Sequence, residues 1–168
     1  MHSTAIYLMD SSAFFTKWLY DMVDRQGEDG KVGCHVPTTG NVGGMQFMDG
    51  CIGWGDASIF IPYRCYKMYQ DVEFLRRFYP MMKGYAEFSI RRAAHPHFIT
   101  CFKNNPYRKY TYASGQHFGE WLEPKGVEPG NMIVNIILPR PEEATAYFHY
   151  QMVLMAEVAN ILGYGKDE

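Results

Sequence analysis

The sequence predicts a mainly α domain of antiparallel helical hairpins, with long aromatic loops gathered at one end. Three observations carry this. Apolar residues recur at helical spacing in four segments. Two long stretches rich in glycine, proline and aromatic side chains separate those segments. No stretch shows the strong apolar–polar alternation of a half-buried sheet. At 168 residues the chain is expected to form a single domain, 1–168.

The first helix is expected over 4–26. Leu8, Ser12, Phe15, Leu19 and Met22 step by four, three, four and three, and Ile6, Phe14 and Trp18 widen the stripe. Ser3 or Thr4 can cap it and Gly27 can end it. A second helix runs to about Tyr69, with Asp56 or Ser58 as cap and Pro62 tolerated in its first turn. A third begins near Asp71. Phe74, Leu75, Phe78, Met82, Tyr85 and Phe88 form its face, Pro80 marks a kink or break, and His95-Pro96 follows its end. The last helix has Pro141 in its first turn with Glu142 and Glu143, which complement the positive N-terminus. Ala144, Tyr147, Gln151, Leu154, Met155, Val158 and Ile161 supply its face, and Gly163 is its stop.

Between the helices lie 27–53, carrying eight glycines and Pro37, and 95–140, carrying five prolines. Long loops in compact domains are commonly functional, and the glycine and aromatic content of the first predicts an ordered one. Residues 98–102, 109–113 and 132–138 have the composition of short strands.

Composition excludes several classes. A hydrophobic fraction of 47% with net charge −2 is not that of a disordered chain. Sixteen basic against eighteen acidic side chains leave no nucleic-acid footprint. No apolar run reaches membrane-spanning length, and the first residues lack the basic and apolar regions of a signal peptide. Cys34, Cys51, Cys65 and Cys101 show no CxxC spacing and read as free thiols, mostly buried. His95 and His97 flank Pro96 without a supporting ligand and read as surface loop; no metal or cofactor is expected. The doublets Arg76-Arg77 and Arg91-Arg92 read as solvated helix faces or partners of helix C-termini.

Two clusters have the residue types of a sugar site: Gly53-Trp54-Gly55-Asp56-Ala57 and His117-Phe118-Gly119-Glu120-Trp121-Leu122. Each sets a carboxylate beside a tryptophan and a glycine. An indole offers a flat apolar face to the C–H face of a sugar ring. A carboxylate accepts hydrogen bonds from its hydroxyls, and glycine lets the backbone come close. The competing reading makes Asp56 a helix cap and both tryptophans core. As a glycosidase pair, Asp56 and Glu120 would need a carboxyl separation of about 6.5–9.5 Å for inversion or about 5–5.5 Å for retention.

Taken in order, several motifs resemble the catalytic domain of bacterial α-L-rhamnosidases. They are Phe14-Phe15-Thr16-Lys17-Trp18-Leu19-Tyr20-Asp21-Met22, then Trp54-Gly55-Asp56-Ala57 with Ile61-Pro62-Tyr63 and Tyr66-Lys67-Met68-Tyr69-Gln70-Asp71. Gly115-Gln116-His117-Phe118-Gly119-Glu120-Trp121-Leu122 and the helix from Glu143 to Ala159 complete the series. The resemblance spans nearly the whole chain. It implies part of an (α/α)6 barrel and an inverting hydrolysis of terminal α-L-rhamnose from a glycoside or polysaccharide. It places Trp54 and Trp121 at the border of the sugar pocket, with Asp56, His117 and Glu120 as neighbouring substrate-binding positions.

The sequence departs from the family pattern at Tyr63, where tryptophan is usual, and at Phe118 and Glu120, where tyrosine and aspartate are usual. Glu120 carries its carboxylate more than about an ångström further out than aspartate would, enough to alter a pocket. The family's general acid lies in an Asp-Glu-Arg motif that this chain lacks, and its base is expected beyond residue 168. The resemblance therefore implies a segment with little or no hydrolase activity alone. It also implies uncovered helix faces through which the chain self-associates. Two other readings stay open: a non-catalytic carbohydrate-binding or structural module, and another six-hairpin hydrolase or lyase using Asp56 and Glu120.

Overall fold

The computed structural model describes residues 2–38, 46, 48–95, 110–114, 117 and 141–165. They form five helices: α1 (His2–Leu8), α2 (Ser12–Arg25), α3 (Ala57–Tyr69), α4 (Val72–Ala93) and α5 (Pro141–Leu162). No strand occurs among the described residues, and 110–113, within one expected strand, is a turn and coil. The expected strands at 98–102 and 132–138 lie outside the described residues.

The single helix expected over 4–26 is two helices. Polar side chains at the break compete for the backbone. Ser11 Oγ lies 3.3 Å from both the Ala5 and Met9 carbonyls, and Asp10 Oδ1 accepts from the Ser12 N–H at 3.1 Å. The stripe survives on α2 as Phe15, Leu19 and Met22, all buried. Leu8 and Phe14 do not join it; both are largely exposed.

α3 is buried over Ser58–Tyr63 and again at Cys65, so it is covered nearly all round. Pro62 sits beyond its first turn, inside the helix. Gln70 closes α3 in the left-handed conformation at φ 56°, and its side-chain amide donates to the Lys67 carbonyl at 2.9 Å. Asp71 then caps α4 by accepting from the Phe74 N–H at 3.1 Å. This two-residue link makes α3 and α4 an antiparallel hairpin. α4 runs through Pro80 as one unbroken element.

α5 ends as the sequence predicts. Gly163 takes φ +75°, with Gly163 N–H to Asn160 at 3.1 Å and Tyr164 N–H to Ala159 at 2.8 Å, the paired bonds of a Schellman stop. α5 packs on both members of the hairpin. Phe60 meets Tyr147 and Tyr150, and Tyr63 donates to Glu157 at 2.7 Å, so α3 and α5 run parallel. Arg76 donates to Tyr164 at 2.9 Å, placing the start of α4 beside the end of α5.

One core joins all five helices through Ile6, Leu19, Ile59, Leu75, Phe78, Met82, Tyr85, Leu154 and Val158. A smaller cluster of Ile52, Tyr112 and Ala144 lies where α3 and α5 begin and α4 ends. The two long loops meet at that end.

Candidate functional site

The described part of the glycine-rich loop is anchored at several points. Trp18 Nε1 donates to the Val36 carbonyl at 2.7 Å, and Gln26 Nε2 donates to Gly30 at 2.9 Å and Met81 at 3.0 Å. Gly30, at φ +84°, lies against the Gly84 backbone so closely that a Cβ would fall 2.1 Å from its carbonyl oxygen. Gly50 N–H donates to Val32 at 2.8 Å, pairing the two arms of the loop. The expectation of an ordered loop holds for these residues.

The loop enters α3 through the turn Cys51-Ile52-Gly53-Trp54-Gly55-Asp56. Tyr85 rises from α4 beneath it, wholly buried, and donates its hydroxyl to the Cys51 carbonyl at 3.2 Å. A Cβ on Gly55 would meet that hydroxyl at 2.4 Å, so the close approach requires glycine there.

Asp56 occupies the N-cap position of α3, but its side chain does not bond to the helix. It turns back instead. Oδ2 accepts from the Gly53 N–H and Oδ1 from the Gln151 amide of α5. The expected side-chain cap is therefore corrected: Asp56 fastens the turn and ties α3 to α5. It is 1% exposed. Burial pushes its carboxyl up to about 6, because the charged form is poorly solvated; the Gln151 and Gly53 donors pull the other way.

His117 belongs to the other loop and meets this turn. Its Nδ1 accepts from the Ile52 N–H at 2.9 Å, so the proton sits on Nε2, which faces the Ser114 carbonyl at 2.5 Å. The ring packs edge-on to Tyr112 at 5.3 Å. Burial holds the imidazole neutral, with its pKa lowered to about 4. His117 is thus 1% exposed with both nitrogens bonded within the protein, and it pins one loop to the other.

Trp54 is the exposed member, at 39%. Its ring stands at 87° to His35, 5.7 Å between centroids. The surface of the turn thus offers an indole, with a buried carboxylate two residues on. Glu120 and Trp121 lie outside the described residues. Trp54, Asp56 and His117 come together.

Several residues at this site were not singled out as site residues by sequence reasoning. Gln151 is fully buried on α5, and a glutamine on an apolar stripe signals a buried polar partner. Arg92 departs from the solvated reading: its guanidinium lies over Phe88 at 5.5 Å and donates to the Gly50 carbonyl at 3.2 Å. Ser114 Oγ reaches the Arg92 and His95 carbonyls at the end of α4. Tyr112 N–H donates to Thr145 Oγ1 at 2.9 Å, linking the second loop to the start of α5. No group of metal-ligating side chains occurs among the described residues.

Comparison with known proteins gives a consistent result. The bacterial alpha-L-rhamnosidase 6 hairpin glycosidase domain matches residues 1–168. An alpha-L-rhamnosidase of Streptomyces avermitilis is 30% identical over 160 residues, covering 95% of this chain and 13% of that protein. One from an Alteromonas species is 28% identical over 169 residues, covering 97% of this chain and 16% of that protein. The crystal structure of the Streptomyces enzyme complexed with L-rhamnose superimposes with a TM-score of 0.61 at 27% identity, over 92% of this chain and 12% of that one. The chain therefore spans well under a fifth of the length of these relatives. Its helical architecture is that of part of a six-hairpin barrel, and the chain belongs to the bacterial α-L-rhamnosidase six-hairpin glycosidase family.

Proposed function

We propose that this chain supplies part of the sugar-binding end of an α-L-rhamnosidase barrel. In this reading Trp54 and Trp121 border the pocket, Glu120 accepts from sugar hydroxyls, Asp56 holds the turn that presents Trp54, and His117 holds the two loops in register. The observation that carries the reading is the Asp56 carboxylate. It is buried, held by Gly53 and Gln151, and stands in the same turn as an exposed indole. A turn fixed from within that presents an aromatic face at its surface suits a polyhydroxylated ring. The substrate is a glycoside or polysaccharide ending in α-L-rhamnose, cleaved with inversion once a general acid and base are present. This chain supplies neither, so alone it binds and does not hydrolyse.

The test is hydrolysis of an aryl α-L-rhamnoside by the purified chain, with L-rhamnose binding followed by calorimetry on the same sample. Binding without turnover is the expected result. Turnover comparable to intact family enzymes would overturn the assignment of acid and base elsewhere. A second reading, another sugar hydrolase or lyase using Asp56 and Glu120, draws on the Asp56 carboxyl raised to about 6, a value suited to a general acid. Under it, Asp56→Asn and Glu120→Gln each abolish a turnover that the unmutated chain displays.

The chain also associates through exposed helix faces. Tyr7, Leu8 and Met9 at the end of α1 and Phe14 at the start of α2 are each more than half exposed. Sedimentation at rising concentration reads this directly, and a monomer throughout would refute it.

A further inference from the structure

We propose that Cys34 and Cys51 form a site of reversible oxidation, a dithiol that closes to a disulfide by exchange with a low-molecular-weight disulfide. Each thiol lies close enough to the other to act on its ionisation. Their backbones are held side by side. Gly50 N–H donates to Val32 at 2.8 Å, and Cys34 N–H donates to Asp49 Oδ1 at 2.9 Å. Asp49 is itself fixed by Arg25 at 3.0 Å. Three contacts that do not involve sulfur thus hold the two cysteine-bearing arms beside each other.

The two cysteines differ in the way exchange requires. Cys34 is half-buried and Cys51 is buried. Access makes Cys34 the attacking group and Cys51 the resolving one. The nearby Cys51 thiol favours the Cys34 thiolate, whereas burial of Cys65 on α3 raises its thiol to about 11. With glutathione disulfide as oxidant, Cys34 loses its proton and its thiolate attacks one glutathione sulfur. The S–S bond breaks, and one glutathione leaves as a thiolate and takes up a proton. Cys51 then loses its proton and attacks Cys34 Sγ, and the second glutathione leaves and is protonated. Two protein thiols are oxidised by two electrons, and one glutathione disulfide is reduced to two thiols.

The bond would lie between both contacts of the candidate sugar turn. His35, next to Cys34, packs on Trp54; Ile52, next to Cys51, donates to His117. Oxidation therefore staples the arms of the loop that carries Trp54 and Asp56. The chemistry does not depend on what that loop binds.

The experiment treats the full chain with glutathione disulfide, quenches with acid, alkylates and digests with trypsin. No Lys or Arg lies between Val32 and Arg64, so both cysteines leave in one peptide, 32–64. The expected product is that peptide, unalkylated and lighter by two hydrogens, restored by reductant. The chain unfolded in urea should lose this selectivity and pair among all four cysteines. Cys51→Ala should stop at a glutathione adduct on Cys34; should that variant fail to fold, the unmutated chain decides. A stable adduct on Cys34 of the native chain, pairing through Cys65 or Cys101, or both thiols remaining alkylatable would each overturn the proposal.

Discussion

Asp56 and His117 give the fold two pH dependences of opposite sign. Asp56 rises from 3.8 to about 6 on folding, roughly two units, worth about 3 kcal/mol. The folded chain keeps a proton that the unfolded chain has shed. Its contribution is fully present below the unfolded value of 3.8 and is lost as pH rises through about 6. His117 falls from 6.5 to about 4, again about 3 kcal/mol. Here the unfolded chain binds the proton more tightly, so the contribution is present above 6.5 and lost as pH falls through about 4.

Between those limits the two slopes nearly cancel. Each variant should expose the other. Asp56→Asn removes the falling term, so its stability relative to the unmutated chain should improve by about 3 kcal/mol between about pH 4 and about pH 7. Asparagine can still accept from Gly53 and, with the Gln151 amide reversed, donate to Gln151. His117→Asn, which keeps an acceptor for Ile52, should shift by a similar amount the other way. Urea denaturation of the three proteins at both pH values measures this, and differences between variants cancel the groups they share. A relative stability of Asp56→Asn unchanged by pH within about 0.5 kcal/mol would refute the buried, proton-retaining carboxyl.

Two further predictions concern the backbone. Gly55→Ala drives a methyl into the Tyr85 hydroxyl, which is buried and bonded to Cys51, and should cost about 1–3 kcal/mol by denaturant unfolding while weakening the proposed sugar binding. Gly163→Ala meets open space but forces φ +75° on a residue with a Cβ, so it should cost about 1 kcal/mol and leave sugar binding unchanged.

The helices were legible because local signals specify them. Asp71 before an apolar stripe and Gly163 after one mark boundaries that the structure keeps. The reading failed where local polar chemistry outcompeted the period. Leu8 and Phe14 fit a continuous stripe by spacing, yet Asp10 and Ser11 take up the backbone between them and end α1. Pro80 predicts a kink or a break, and α4 continues through it without the break.

The site was legible only in part, for a different reason. The sequence shows which residue types could grip a sugar, but not what holds them. Asp56 has the position and chemistry of an N-cap, and nothing nearby in the chain predicts that it turns away. What turns it is Gln151, 95 positions along, together with the Gly53 N–H. Tyr85 from α4 forces glycine at 55, and His117 from the second loop fixes Ile52. Apart from the Gly53 bond, each of these contacts crosses between elements whose order in the chain gives no hint of contact. The buried carboxylate is costly to the fold above about pH 6, as the Asp56 shift implies, and α4, α5 and the second loop all contribute to holding that turn in place. A turn tied down by α4, α5 and the second loop around an unfavourable charge is more than a simple helix cap requires.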